Sequence, residues 1–377
     1  MTQRPTLICD IETYHGFFLV AFKRVSDGKI RTFEHSDRSQ IDTDRLLAIM
    51  LQNRIVTYNG QGYDVPLIFY AIKCIGEDPA TANARLKQAS DQIINGRVRY
   101  WEVEQLLGIA IPRRLDHVDL IEPQPNAFAS LKTLNGRMHG KRMQDLPIEP
   151  DARLTHADMD ALTLYCGNDL DATHLLWDNL AEPMALREAL SEEYGINFRS
   201  KSDSQIGEAI VKKRVEQETG ERVQKVATPA GTSFRYKVPP YMRFNTPELQ
   251  AILDRLRETD FVVQANGKVE LPPFLDGREV TIGETTYAMG IGGLHSTESQ
   301  RSVHSDDDSQ LLVDCDVTGY YPNIIINSGL YPKSLGPQFL PEYTKIRDER
   351  SKAKRRMQEI DRDIAALEAQ LAELEEA

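Results

Sequence analysis

TLICDIET, residues Thr6 to Thr13, opens the chain with an apolar run that stops at two acidic side chains. The run from Thr6 to Ile11 has strand length, and Gly16 to Val25 follows with a second run rich in β-branched and aromatic residues. The two read as adjacent strands of one sheet. Side chains alternate across a strand, so Asp10 and Glu12, two apart, project from the same face and present their oxygens to one point. Paired carboxylates on a rigid element suit a hard divalent cation.

Working outward, Arg54 to Tyr58 is a third apolar stretch. It breaks at Asn59-Gly60 and resumes from Val65 to Ile75 with helical periodicity, which gives a strand, a loop and a helix. Asp64 stands in that break. From Thr155 to Leu180 the spacing is helical, with Thr155 and Asp158 as an acidic variant of the capping box, and the helix is expected to close the first domain near Pro183. Tyr165 and Asp169, four apart, share one face of it. Taken singly, Asp-x-Glu suits a solvated strand face, Asp64 suits a helix cap, and Tyr165 with Asp169 suits an ordinary helical pair. Taken together, four carboxylates and a tyrosine could converge. Two Mg²⁺ ions about 3.5–4 Å apart, held by such oxygens, activate a water and stabilise the leaving 3′ oxygen in phosphodiester hydrolysis.

The 377 residues favour two or three compact units, and 41% hydrophobic with 27% charged content is ordinary for folded domains. A net charge of −12 argues against a broad basic surface gripping duplex DNA, but leaves room for a local groove holding a single-stranded end. Cys9, Cys74, Cys166 and Cys315 form no Cys-x-x-Cys pair, so neither a zinc site nor a disulfide framework is signalled. No run reaches the ~20 apolar residues of a membrane span. A soluble protein of the cytoplasm, with no membrane partner, is the expectation. His15, His117, His156 and His174 lack metal-ligand spacing and read as structural or surface residues. Asp119 reads as a strand-end aspartate or a supporting acid.

In order and character, Asp10-Ile11-Glu12-Thr13, then Asn59-Gly60-Gln61-Gly62-Tyr63-Asp64, then Tyr165-Cys166-Gly167-Asn168-Asp169 resemble the three exonuclease motifs of the DEDD superfamily, in its tyrosine-bearing branch. The resemblance covers about residues 6 to 180. It implies an α/β, ribonuclease H-like domain with a mixed sheet flanked by helices. It also implies 3′→5′ hydrolysis of single-stranded DNA with Mg²⁺ or Mn²⁺, two ions being held by Asp10, Glu12, Asp64 and Asp169. Tyr165 would orient the attacking water. Ser130 to Pro147 resembles the stretch between motifs in phage proofreading domains, where Lys132 would neutralise the scissile phosphate. Asn59 and Tyr63 would touch the terminal nucleotide.

Further on, Asp316-Val317-Thr318-Gly319-Tyr320-Tyr321-Pro322 resembles motif A of family B DNA polymerases, with glycine where the family usually has serine. Gln310 to Asn327 reads as an apolar strand, an acidic tip and then a turn with proline, and the resemblance makes Asp316 a ligand of polymerase metals at the end of that palm strand. Tyr321 would pack against the incoming sugar. Tyr287 to Ser296, with Gly292 and Gly293, resembles the glycine-rich element that approaches the template strand in phage polymerases. Glu342 to Ala377 contains no Gly or Pro and reads as one long solvated helix or helical hairpin, the start of the fingers, where Arg347 and Arg350 are candidate ligand contacts.

The resulting layout is an exonuclease domain over residues 1–185, a small α+β connecting domain over 186–300, an incomplete palm over 301–341 and a fingers helix over 342–377. No further polymerase motif follows. Primer-template DNA and dNTP would then be used only with a complementary chain carrying the missing palm and fingers motifs. Two other readings stand beside this one: a nucleic-acid-binding or assembly subunit of a split polymerase, and a freestanding RNA-trimming nuclease of the ribonuclease D kind.

Overall fold

A computed structural model describes residues 4–74, 76, 78–124, 129–224, 226–290, 293–299, 302–305 and 311–376. The chain divides into two compact units, Met1–Glu208 and Ala209–Ala377.

In the first unit, β1 (Thr6–Tyr14) turns through His15 and Gly16 into β2 (Phe17–Arg24), which pairs with β3 (Ile30–His35). Gly16 has φ +76°, the left-handed backbone that a tight hairpin asks for. After α1 (Thr43–Gln52), β4 (Arg54–Thr57) lies parallel to β1. Next come α2 (Asp64–Cys74), α3 (Pro79–Gly96), α4 (Tyr100–Leu107), and β5 (Asp116–Asp119) parallel to β4. α5 (Leu131–Arg137), α6 (His156–Asn179) and α7 (Ala181–Tyr194) complete the layers. The fold is α/β, with a five-stranded mixed sheet in the order β3-β2-β1-β4-β5.

Both faces of this sheet are covered, which is why its strands read as nearly continuous apolar runs. Phe18, Val20, Ile55, Leu67, Leu86 and Val103 belong to one core, under α1 to α4. Ile8, Phe17, Leu19, Val56, Leu162 and Leu170 belong to the other, under α5 and α6. The alternation along β1 sends Cys9 and Ile11 to the first core and Ile8 to the second, so Asp10 and Glu12 share the face on which α6 packs. At the start of α6 the expected capping box is formed: the Thr155 amide donates to Asp158 Oδ2 at 2.8 Å, and the Asp158 amide to Thr155 Oγ1 at 3.3 Å. Pro183 does not stop the chain's helical course. It sits in the first turn of α7, where the missing N–H costs nothing.

α8 (Asp203–Thr219) runs through the boundary at Glu208. In the second unit β6 (Ser233–Arg235) pairs with β7 (Asp260–Val262), flanking α9 (Pro247–Glu258) in sequence. β8 (Glu279–Ile282), β9 (Thr285–Gly290) and β10 (Gly293–Ser296) form an antiparallel sheet, and Leu249, Ile252, Leu275 and Val280 make a small core. α10 (Tyr320–Asn327) and α11 (Phe339–Glu376) follow.

Two expectations fail here. Leu311 to Val317 is not a strand: Leu311, Leu312 and Val313 are 87%, 66% and 62% exposed, and no strand among the described residues pairs with them. An apolar run becomes a strand only when a ladder partner takes up its backbone groups. The segment after it is not a turn around Pro322 but the helix α10, entered through left-handed Gly319 (φ +62°), with Pro322 in the first turn where it is tolerated. The C-terminal segment is one continuous helix rather than a hairpin.

No helix among the described residues is long and apolar enough to cross a membrane.

Candidate metal centre

β1 supplies Asp10 and Glu12, the start of α2 supplies Asp64, and the facing side of α6 supplies Tyr165, Cys166 and Asp169. Ligand atoms of Asp10, Glu12 and Cys166 lie within 4.8 Å of one another, and the Cys166 thiol donates to Asp10 Oδ2 at 3.4 Å. The Tyr165 and Asn168 side chains stand beside the Asp169 carboxylate and favour its charged form. Glu12 and Asp64 are buried.

Burial is the largest influence on every one of these acids. It raises Asp10 to about 7, aided by the negative charge of Asp169 and opposed by the Cys166 thiol. Glu12 is pushed well above the usual carboxylate range by burial and then by Asp10, Asp169 and Asp64. Asp64 is raised by burial, Asp10 and Asp119. Burial raises Asp169 too, against the opposing influence of the neighbouring Tyr165 and Asn168 side chains. Burial and the Asp169 charge keep the Tyr165 phenol protonated. The charges that act on Glu12 are all other carboxylates, so the cluster is negative groups confined together, an arrangement stable only with protons or cations between them. Such a donor set fits hard divalent ions, with one soft thiol at its edge.

The turn before Asp64 is built to tolerance. Asn59 takes the left-handed conformation (φ 63°), and a Cβ on Gly60 would lie 2.3 Å from Thr57 Oγ1, so only glycine fits there. Asp119, at the end of β5, accepts from the amides of Asn59 and Gln61 at 2.8 Å each and from Ile121 at 3.1 Å. Its own amide donates to Ser200 Oγ at 2.9 Å. The aspartate noticed in the sequence as a possible supporting acid thus holds the turn. His117 lies 2.8 Å from Thr57 Oγ1, and burial lowers its pKa to about 4, so it is a neutral structural residue.

A cavity of about 1020 Å³ opens over Asp10, Glu12, Tyr165 and Asp169 and is also lined by Asn59 and Tyr63. The Tyr63 hydroxyl is 2.7 Å from Ser90 Oγ, and burial raises its pKa to about 12. Lys132 is not in the lining. It sits on α5, half exposed and ion-paired with Asp145. The cations in the cavity wall are Lys87, Arg99 and Lys201, none of them singled out in the sequence; Lys87 is engaged by Asp91 at 2.6 Å and Asp151 at 2.9 Å. Cys166 lay inside a motif but was given no role.

In the second unit Asp316 is exposed in irregular chain, and no cluster of three possible ligands forms around it among the described residues. Tyr321 is 61% exposed on α10 and meets Tyr320 edge to face at 5.3 Å. Gly293 pairs with Gly290 in the β9–β10 hairpin with φ +137°, whereas Gly292 lies outside the described residues. Arg347 donates to Asn323 Oδ1 at 2.7 Å and also pairs with Asp348.

Compared with known proteins, the chain matches no family model, no curated protein and no solved structure.

Proposed function

We propose that the first unit is a 3′→5′ exonuclease of ribonuclease H-like type that hydrolyses single-stranded DNA ends with Mg²⁺ or Mn²⁺. The observation that carries the reading is the meeting of β1 and α6 at Asp10, Glu12, Tyr165 and Asp169 on the wall of one open cavity, with buried Asp64, at the start of α2, meeting the Asp10 charge from behind that wall. Asp10, Glu12, Asp64 and Asp169 would hold the metal. When bound, two such ions supply an activated water and neutralise the leaving 3′ oxygen. Tyr165, kept protonated by burial and the neighbouring Asp169 charge, orients a water without acting as its base. Asn59 and Tyr63, in the wall of the same cavity, touch the terminal nucleotide.

The test is degradation of a 5′-labelled single strand. Asp10→Ala and Asp169→Ala should each lower the rate by several orders of magnitude, and Tyr165→Phe should lower turnover more than strand affinity. Near wild-type rates in either carboxylate variant would refute the site. Inactivity of the wild-type chain in both ions would favour an assembly subunit, and preference for RNA ends a trimming nuclease.

For the second unit the motif from Asp316 to Pro322 supports a further proposal: it belongs to a family B polymerase palm, in which Asp316 would be one of the metal-holding carboxylates.

A further inference from the structure

Beyond its carboxylates, the cavity of the first unit has an aromatic wall that the proposed chemistry does not use. Arg99, Tyr100 and Trp101 open α4 and line the same space as Asp10 and Glu12. Tyr100 and Trp101 meet edge to face with ring centroids 4.9 Å apart, and the Arg99 guanidinium lies 5.2 Å from the Trp101 ring centre. Despite these contacts Tyr100 is 46% and Trp101 58% exposed. Two large aromatic rings kept partly in water, one backed by a guanidinium, leave a π-face free inside an otherwise acidic cavity.

The placement is fixed by the turn that carries Asn59 and Tyr63. A Cβ on Gly62 would come within 3.3 Å of Tyr100 Cβ, so the missing side chain lets α4 seat against that turn. At about 1020 Å³ the cavity matches the upper end of the roughly 300–1,000 Å³ typical of pockets for whole small ligands, more than one terminal nucleotide needs.

Resting on the exonuclease reading, we infer that Trp101, with Tyr100 and Arg99, is a stacking platform for a base upstream of the terminal nucleotide in a single DNA strand. Stacking on an aromatic face accepts any base, which suits an enzyme that removes nucleotides regardless of sequence. A guanidinium behind the ring adds a positive charge that the strand's phosphates favour.

The chain has two tryptophans, Trp101 and Trp177, the second packed against the core. Binding of dye-labelled oligo(dT) is measured in EDTA, where the strand survives, with an abasic residue moved one position at a time from the 3′ end. The full chain should lose about tenfold in affinity when the abasic residue reaches the platform. Trp101→Ala should bind the unmodified strand about tenfold more weakly and ignore the same abasic position, and Trp101→Phe should restore most of both effects. In Trp177→Phe the remaining emission, from Trp101, should be quenched by the strand. Equal affinity of Trp101→Ala and the parent chain, or unquenched Trp101 emission with strand bound, overturns the platform while leaving the nuclease standing if Asp10→Ala still abolishes hydrolysis. Failure of every form to bind overturns both.

Discussion

At Asp10 a carboxyl group is held at about 7 against 3.8 in the open chain, by burial first and the Asp169 charge second. The folded state therefore binds this proton more tightly than the unfolded one. The group's favourable contribution is fully present below 3.8 and is lost as the pH rises to 7. His117 works in the opposite sense, its contribution being present above 6.5 and lost towards 4, so the Asp10 effect is cleanest above pH 6.5. Urea unfolding in EDTA should show a lower midpoint at pH 8 than at pH 6.5. Asp10→Asn should raise the pH 8 midpoint, corresponding to an unfolding free energy larger by on the order of a few kcal/mol, while removing hydrolysis. An unchanged midpoint in that variant would mean the carboxylates are not strained against one another. Asp119→Ala should cost roughly 3 kcal/mol, because three amides lose a charged acceptor, and hydrogen exchange at Asn59 and Gln61 should accelerate. That Asp10 with Glu12 and Tyr165 with Asp169 lie on one cavity wall could be read from a two-residue step on a strand and a four-residue step on a helix, whereas Asn59 and Tyr63 were pointed to only by the motif resemblance. Lys132 was not legible in the sequence, since nothing in local spacing tells that Asp145 takes its charge. Trp101 was not either, because an aromatic in an amphipathic helix has the spacing of a core residue whether or not it is covered.

Among the elements, β1, β2, β4, α2 and α6 were readable from period and caps, because both faces of the sheet are covered and the apolar patterns are unbroken. Leu311 to Val313 misled, since composition gives β propensity while a strand also needs a neighbour to bond. Two glycines test how tightly the site's elements are held. A Cβ on Gly167, within α6, would meet nothing within 4 Å, so Gly167→Ala should stabilise the helix by about 0.5–1 kcal/mol in thermal unfolding. Gly60→Ala should do the reverse, driving a methyl into Thr57 and displacing the turn that leads to Asp64, with a loss of both stability and hydrolysis. Equal effects at the two positions would mean that the turn between β4 and α2 has slack.

For the molecule as a whole, both large cores lie within the first unit, and the acidic cavity belongs to it entirely. A chain shortened to residues 1–219, which keeps α8 intact, should fold with its own cooperative transition and retain hydrolysis. Asp316→Ala in the full chain should leave the hydrolysis rate unchanged, because Asp316 lies in the other unit. Loss of nuclease activity in either experiment would require the second unit to take part in the chemistry. The crowding of Asp10, Glu12 and Asp64 also bears on how such a sequence drifts. A population propagated for heat resistance alone, starved of divalent ions, would discard these acids among its earliest changes, because each neutral replacement there is a gain until hydrolysis is demanded again.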